Sequence, residues 1–531
     1  MAEAQPNPQS AADRASAGAS ARTSAGASAR TSAGTSAGTS ARTRTRTDSA
    51  RTRTDSARTC TDTGAPDPHV SAPPTAHAVL RPAATLAVTS AATVVALMNY
   101  TAPLLTLPSM SAAFGTPLSA QAWLINGMPL GLAAVLLVAG SLADDYGRRR
   151  IFLLGTLALG VTTALGSLAD STLLFTLARV AQGTASAAVI ASSLGLLVHA
   201  FPAGLARIRA TGVWGAFVSA GIALGPLLAG GLNEVSDSGW RLTYAVLGAA
   251  ALVTAGFAVR VLAESRAAHR NRPDLAGALA LALAFTALLS ALTLGRDGWL
   301  RAPVLLLLLA SAVLTGLFAV IERRAAAPVF DLGLLRRPLF GAASTGALFT
   351  GLAVIGLMSY MPSLIQQTIH MSALGSAWLF LLWSGTAFAV ALQARRLAGR
   401  VAARHQLALG FVLHAAGALG MLGALGAGSW VRLVPGLFVA GAGSGLLNAA
   451  LPRLSVESVP QERAAMGSGA NNTARYLGSS AGVALIIAVA TSVTDPAHGT
   501  DLAILVSAAL TLAGATAVLA LRDRGARGTA G

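Results

Sequence analysis

The stretch Gln121-Ala-Trp-Leu-Ile-Asn-Gly-Met-Pro-Leu130-Gly-Leu-Ala-Ala-Val-Leu-Leu-Val-Ala-Gly140-Ser-Leu-Ala-Asp144-Asp-Tyr-Gly147-Arg148-Arg149-Arg150 decides the fold. It runs uncharged from Gln121 to Ala143 and then presents acids and a triplet of arginines in quick succession. About 20 predominantly apolar residues suffice for an α-helix to cross the hydrocarbon of a bilayer, and arginines gather on the cytoplasmic flank of such helices. The segment therefore reads as a spanning helix that ends in the cytoplasm. Upstream, no Asp, Glu or Arg occurs back to Pro82, which leaves room for another crossing.

Outward from this stretch the same alternation of apolar runs and arginine-bearing loops continues. Of 531 residues, 54% are hydrophobic and 11% charged, against roughly a quarter charged in an average soluble domain. A soluble chain could not hide this much apolar surface. Fourteen apolar segments fall at about 84–107, 121–143, 151–169, 173–199, 211–232, 242–262, 275–295, 302–321, 340–362, 374–394, 407–427, 430–450, 466–492 and 501–521. Arg148, Arg149 and Arg150 follow the second segment, Arg207 and Arg209 the fourth, and Arg260, Arg266, Arg270 and Arg272 the sixth. Arg323 and Arg324 follow the eighth, Arg395 to Arg404 the tenth, Arg453 and Arg463 the twelfth, and Arg522 to Arg527 close the chain. Loops such as Met110 to Ala120 and Thr494 to Thr500 are poor in Arg. The positive-inside rule then places both termini in the cytoplasm of a multi-pass plasma-membrane protein.

The net charge is +17, and every basic residue is Arg because the sequence contains no Lys. A nucleic-acid partner would call for cations clustered on a folded soluble face, whereas these sit in short loops between apolar segments. Without Lys no Walker A loop can hold nucleotide phosphates, so ATP is not expected as an energy source. Cys60 is the single cysteine, which excludes an internal disulfide and a thiolate metal cluster. The eight His lack the i, i+4 pairing of a helical zinc site. No metal and no cofactor is expected.

Residues 1–80 are rich in Ala, Ser, Thr, Gly and Arg, with too little apolar bulk to offset their ordering entropy. They read as a disordered basic cytoplasmic tail. The next methionine, Met98, lies inside the first apolar segment, so a misplaced start codon is the alternative.

Four motifs carry the functional reading. Gly140-Ser-Leu-Ala-Asp144-Asp-Tyr-Gly147-Arg148-Arg149-Arg150 combines a small residue for close helix approach, a carboxylate at a membrane boundary and a basic anchor. Arg179-Val-Ala-Gln182-Gly183 puts Arg179, Gln182 and Ser186 on one helical face, and a cation inside a membrane segment is costly unless it faces a cavity or partner. The fifth segment carries Gly212, Gly221, Gly225, Pro226, Gly230 and Gly231, of which Gly221 and Gly225 form a small-xxx-small face and Pro226 permits a kink. In the thirteenth, Ser468, Asn472, Arg475 and Ser479 align on one face, with Gly478 and Gly482 spaced for tight packing.

Together these motifs closely resemble those of the major facilitator superfamily, in its fourteen-helix drug:proton antiporter branch, over nearly everything after residue 80. The first resembles the family's Gly-x-Leu-Ala-Asp-Arg-x-Gly-Arg-Arg/Lys signature, which implies that Gly140, Asp144, Gly147, Arg148 and Arg149 form an inter-domain gating motif. Asp145 stands where the family usually has Arg. The second resembles the Arg-x-x-Gln-Gly pattern linked with proton transfer, and the glycine-proline helix resembles the antiporter signature that marks exporters, with Ala229 replacing one Gly. Gly239-Trp240-Arg241 is similar to that branch's start of the sixth helix, and Gly467 to Gly478 to its Ser-Gly-x-x-Asn-x-x-Arg-x-x-Gly stretch. Leu397 to Arg404 looks like a decayed copy of the Asp144 loop.

The resemblance implies an all-α integral membrane fold of fourteen transmembrane helices, built as two pseudo-symmetric six-helix bundles plus an inserted helix pair. The expected divisions are 81–265 for the N-terminal bundle, 266–325 for the inserted seventh and eighth helices, and 326–531 for the C-terminal bundle with a short cytoplasmic tail. A departure is informative. Where the family's first helix carries Leu-Asp-x-Thr, this sequence reads Met98-Asn99-Tyr100-Thr101, so a membrane carboxylate has become an amide. No Asp or Glu remains near the centre of any segment, since Asp274 and Glu322 lie at ends. Cationic drugs normally require a buried acid, so a neutral, anionic or zwitterionic amphipath is favoured. His414 is the one mid-helix group with an unperturbed titration near neutrality, although a lone His is more often a packing residue.

The expected protein is not an enzyme but a secondary exporter of a drug, antibiotic or amphipathic metabolite, working by alternating access. Proton coupling is what the resemblance implies. Asn99, Tyr100, Arg179, Gln182, Asn472 and Arg475 are expected to line its central cavity. A nutrient importer of the same fold and a non-transporting membrane sensor are the rivals. The sensor would need a folded soluble output region, and a membrane enzyme would need paired acids, clustered His or a nucleophile with its base.

Overall fold

The computed structural model describes residues 81–236, 238–266, 274–295, 298–325, 330–394, 396 and 400–521. The expectations for the tail 1–80, for Cys60, for Arg270, Arg272 and Arg395 and for the arginines between 522 and 527 lie outside the described residues, as do Leu397, Ala398 and Gly399 of the Leu397 to Arg404 loop. Among the described residues every regular element is a helix. In chain order these are α1 (Pro82–Thr101), α2 (Pro103–Phe114), α3 (Leu118–Tyr146), α4 (Arg148–Ser167), α5 (Thr172–Ala200), α6 (Leu205–Val235), α7 (Gly239–Val261) and α8 (Leu275–Leu294). There follow α9 (Ala302–Arg324), α10 (Pro338–Phe349), α11 (Gly356–Ile369), α12 (Ala373–Ala394), α13 (Ala403–Leu419), α14 (Leu433–Glu457), α15 (Ala464–Ala490) and α16 (Pro496–Ala520).

Thirteen of the helical stretches are long and apolar enough to cross a membrane. Two of the apolar segments are helices interrupted on the way. The first is divided into α1 and α2 at Pro103, whose missing N–H breaks the ladder. The ninth passes from α10 to α11 through a π-helical turn, Thr350–Ile355. There Gly351 lies so close to α15 that an added Cβ would meet the Arg475 carbonyl at 2.0 Å. One segment differs from expectation. The run at 407–427 does not stay helical, because α13 stops after 17 residues and the glycine-rich stretch beyond it forms successive turns. Gly423 and Gly428 take left-handed conformations there, at φ +69° and +64°, which an L side chain rarely adopts.

Lipid is as apolar as leucine, so helices in a membrane associate through close backbone approach rather than a hydrophobic drive. Gly131 and Gly183 let α3 and α5 cross in this way. A Cβ on Gly131 would meet the Val180 carbonyl, and one on Gly183 the Met128 carbonyl, each at 2.1 Å. Gly140 and Gly469 do the same between α3 and α15, where the nearest carbonyls, of Ala465 and Leu136, would lie at 2.4 and 2.5 Å. Helix α8 packs against α3, α9 and α15, while α9 turns Leu305, Leu306, Leu309 and Val313 outward. That outward apolar face fits a bilayer.

Gly183→Val should therefore prevent correct assembly, since the β-branched side chain has no space and overpacking costs about 1–3 kcal/mol even in yielding cores. Gly231→Ala, with nothing within 4 Å of the added methyl, should be tolerated. Size-exclusion profiles and thermal midpoints of the two purified variants in detergent check this contrast.

Candidate functional site

The arginine of α5 is held by α1. Pro103 cannot donate to the carbonyl four residues before it, that of Asn99, so this acceptor is left free inside the fold. Arg179 takes it. Its Nη1 donates to Asn99 O at 2.8 Å, to Asn99 Oδ1 at 2.6 Å and to Gln182 Oε1 at 3.0 Å. Asn99 in turn donates from Nδ2 to Thr163 Oγ1 of α4 at 2.6 Å, and Gln182 Nε2 to Thr162 O at 3.1 Å. The guanidinium carbon lies 5.9 Å from the centre of the Tyr244 ring of α7. Arg179, Gln182 and Asn99 have no solvent exposure. Every hydrogen-bonding partner of the cation is neutral, and its Nε and Nη2 are without a partner.

A cavity of about 390 Å³ lies in front of this cluster. Its wall takes Tyr100 and Leu104 from α1 and α2, Gln121 and Asn126 from α3, Thr293 from α8, Ser359 from α11, Trp383 from α12, and Arg475, Tyr476 and Ser479 from α15. The Tyr100 and Tyr476 rings meet with centroids 5.6 Å apart. Asn126 Nδ2 donates to Thr293 Oγ1 at 3.1 Å, tying α8 into the wall. Of the six residues expected to line the cavity, only Tyr100 and Arg475 do so. Asn99, Arg179 and Gln182 are packed behind it, and Asn472 turns back to donate to Ser468 O of its own helix at 3.1 Å. Its neighbour Asn471 makes the cross-helix contact instead, to Ala343 O of α10 at 2.9 Å.

The Asp144 loop closes the opposite end of the structure. Asp144 is fully buried and accepts from Arg148 Nε at 2.9 Å and Nη2 at 2.8 Å. It also accepts from two backbone N–H groups at the start of α15, Ala465 at 3.2 Å and Met466 at 2.8 Å. These are N–H groups that no turn of α15 can satisfy, and a carboxylate there also meets the positive end of the helix dipole. Arg148 Nη2 continues the bridge to the carbonyls of Gln461 and Glu462. Asp145 pairs with Arg463 at 3.2 Å, so the acid at the family's usual Arg position meets a base on the facing segment. Gly147 sits at φ +122°, and a Cβ on it would strike the Glu264 carboxylate at 2.8 Å. Arg149 donates to Val259 O, and so anchors the loop to α7 rather than joining the Asp144 bridge.

The glycine-proline helix α6 lies against α1. Gly221 admits Leu97 and Val94, and Gly225 admits Thr101 and Met98. Thr101 Oγ1 stands 3.4 Å from Ile222 O, the carbonyl that Pro226 leaves without a donor. Gly230 faces Leu105, whereas Gly212 has nothing within 4 Å. His414 is enclosed in α13, its Nδ1 3.3 Å from both Ala440 O and Ser444 Oγ. Ser444 accepts from Trp383 Nε1 of the cavity wall at 3.1 Å. Pro103, Thr163, Tyr244 and Trp383 were not singled out from the sequence. Only Pro103 left a readable signal, four residues after Asn99.

Comparison with known proteins places these features in a family. The model of the Major Facilitator Superfamily matches residues 89–483. Multidrug resistance protein Stp of Mycobacterium tuberculosis (strain CDC 1551 / Oshkosh) is 32% identical over 72% of this chain and 70% of its own length. The probable actinorhodin transporter of Streptomyces coelicolor is 32% identical over 76% and 71%, and puromycin resistance protein pur8 of Streptomyces alboniger 29% over 78% and 84%. Among solved structures, the human organic anion transporter MFSD10 (TETRAN) superposes with a TM-score of 0.58 at 18% identity, covering 82% of this chain and 99% of that one. At that identity the likeness is one of fold.

Asn99→Ala should lower stability by about 3 kcal/mol, because it strips the buried Arg179 guanidinium of its shortest acceptor. Asn99→Asp keeps the acceptor and adds a countercharge, so it should unfold at a higher temperature than Asn99→Ala. Thermal midpoints of the two purified variants report the difference.

Proposed function

The chain belongs to the Major Facilitator Superfamily, and from that membership we propose that it is a secondary exporter of a drug, antibiotic or amphipathic metabolite, working by alternating access. The observation that carries this reading is the pairing of one end locked through Asp144 and α15 with a cavity in the opposite half. In an alternating-access cycle the two ends open in turn around one site, and this arrangement corresponds to the state closed at the Asp144 end. The arginine distribution puts that end in the cytoplasm of the plasma membrane, with both termini on the same side. The cavity then faces outward, ready to release cargo.

Export rather than import is supported by relatives named as a multidrug resistance protein, a puromycin resistance protein and a probable actinorhodin transporter. The close seating of α6 on α1 through Gly221, Gly225 and Pro226, the motif that resembles the antiporter signature, supports it too. In this reading α13 completes a set of fourteen spans, with 81–265 and 326–531 as the two bundles, α8 and α9 as the inserted pair, and residues 1–80 as a cytoplasmic tail. Asp144 and Arg148 act as the gate, with Gly140 and Gly147 giving the close approach it needs. Arg179, Gln182 and Asn99 hold the wall behind the cargo. Inward proton flow is the coupling that the family resemblance suggests. The small-molecule cargo, the proton and the surrounding lipid are the partners; neither ATP nor nucleic acid takes part.

Cells of an efflux-deficient host that express the protein should accumulate less of at least one compound from a panel of amphipathic antibiotics. Arg179→Ala should abolish the difference, and a protonophore should do the same if protons drive the export. A panel without any difference between expressing and empty cells would count against export. The gate has its own test. With Cys60→Ser as background, a cysteine at Ser468, buried between α15 and α5, should react slowly with N-ethylmaleimide. Asp144→Ala should raise that rate roughly tenfold, as expected when a buried charged bridge is removed from a closed state. An unchanged rate would show that Asp144 does not hold the gate.

A further inference from the structure

The charge of the cavity wall points one way. Arg475 is the one charged residue among those that line it, and no Asp or Glu joins it there. The described carboxylates all lie within the first or last two turns of helices or between them. Arg475 is only 6% exposed, its Nε has no hydrogen-bonding partner among the described residues, and its guanidinium carbon lies 5.6 Å from the centre of the Tyr476 ring. Behind the wall Arg179 adds a second buried cation whose hydrogen-bonding partners are all neutral. Tyr100 lines the same cavity beside Ser479, within electrostatic reach of both guanidiniums.

Burying a guanidinium without a countercharge is costly unless something else supplies the charge. A structural arginine can achieve this by pairing with an acid, as Arg148 does with Asp144, or in part through several neutral acceptors, as Arg179 does with Asn99 and Gln182. Arg475 does not. It lines a cavity of about 390 Å³ whose wall is otherwise uncharged, with aromatic faces from Tyr360, Phe380, Trp383 and Tyr476 beside neutral polar groups such as Gln121 and Asn126, and its Nε stays unpartnered within that wall. A planar guanidinium fork beside hydroxyl donors matches a carboxylate or phenolate oxygen pair, and the rings offer stacking faces for a flat apolar body.

We propose that the cavity binds its cargo as an aromatic organic anion, with Arg475 as the countercharge and Tyr100 and Ser479 as further donors. This rests on the export reading and narrows it to a class of substrate. It also makes a cationic drug a poor ligand, because it would meet Arg475 with no acid to offset the repulsion.

The test is binding, measured by isothermal titration calorimetry on the purified full chain in detergent at neutral pH. The probes are 2-naphthoate, the uncharged 2-naphthamide and the cation 2-naphthylmethylammonium, which share a ring system and differ in charge. The naphthoate should bind at least about tenfold more tightly than the amide, the range expected for a charged hydrogen-bonded contact, and the ammonium most weakly of all. Arg475→Gln should bring the affinities of naphthoate and amide together, and Arg475→Lys should restore part of the preference. Equal binding of naphthoate and amide by the wild-type protein, or no measurable naphthoate binding, would overturn the proposal. So would an intact anion preference in Arg475→Gln. If that variant binds neither probe, the wild-type ratio, which needs no variant, still decides. Binding in detergent requires no transport, so a lost anion preference with efflux intact sinks this inference alone, and a lost efflux with the preference intact sinks only the export reading.

Discussion

Asp144 does for α15 what a capping residue does for its own helix, but it does so from α3, more than three hundred positions earlier in the chain. The first turn of any α-helix leaves N–H groups without partners, and here two of them close on one carboxylate together with the Arg148 guanidinium. The carboxylate is buried because Gly140 and Gly469 bring the two backbones into near contact. Burial excludes water, and a charged bond shielded from water is expensive to leave unmade. The bridge is therefore well suited to a switch. It is strong while assembled and its parts are costly to separate, so in the proposed cycle its opening would need a contribution from another binding event.

The same economy of donors and acceptors runs through the middle of the protein. Two prolines, Pro103 and Pro226, each free a carbonyl, and a side chain from a neighbouring helix stands at each freed oxygen. Arg179 binds Asn99 O, and Thr101 lies beside Ile222 O. In a hydrocarbon environment no water can take over such acceptors, so broken helices survive only where protein groups complete them. Arg179 thus keeps its place without any carboxylate. The loss of the usual acid from the first helix leaves Asn99 in contact with the cation, as an amide acceptor in place of an ionic one.

Much of this architecture can be read from the chain because hydropathy is a local property. Each apolar run falls on a helix, and the arginine triplet at Arg148 marks the end of α3 in both sequence and structure. The exception, the end of α13, is apolar by composition but carries Gly420, Gly423, Gly426 and Gly428, and hydropathy does not weigh their backbone cost. Helical periodicity could align Arg179 with Gln182 on one face, and the structure joins them by a hydrogen bond. It could not say which face meets the cavity. That depends on how α5 is rotated against α1 and α3, which Gly127, Gly131 and Gly183 set through contacts distant in sequence. Asn471 and Asn472 show the limit most clearly. The two amides are adjacent and chemically identical, and only packing decides that Asn471 reaches α10 while Asn472 folds back on its own helix.

The early stop of α13 bears on the surrounding lipid. At about 1.5 Å of rise per residue, its 17 residues extend roughly 26 Å, short of the ~30 Å thickness of bilayer hydrocarbon. The turns beyond Leu419 carry the chain further, most of their N–H groups bonded to carbonyls three to five residues back and that of Gly423 to the Asp501 carboxylate at 2.9 Å. As one of the proposed fourteen spans, α13, which packs against α14 and α16, would offer acyl chains a regular helix a few ångströms short of that thickness. The bilayer can relieve that mismatch by thinning locally, at a fraction of a kcal/mol per ångström. With α13 as a span of the proposed fourteen, membrane thickness would bear on this side of the protein more than on the others.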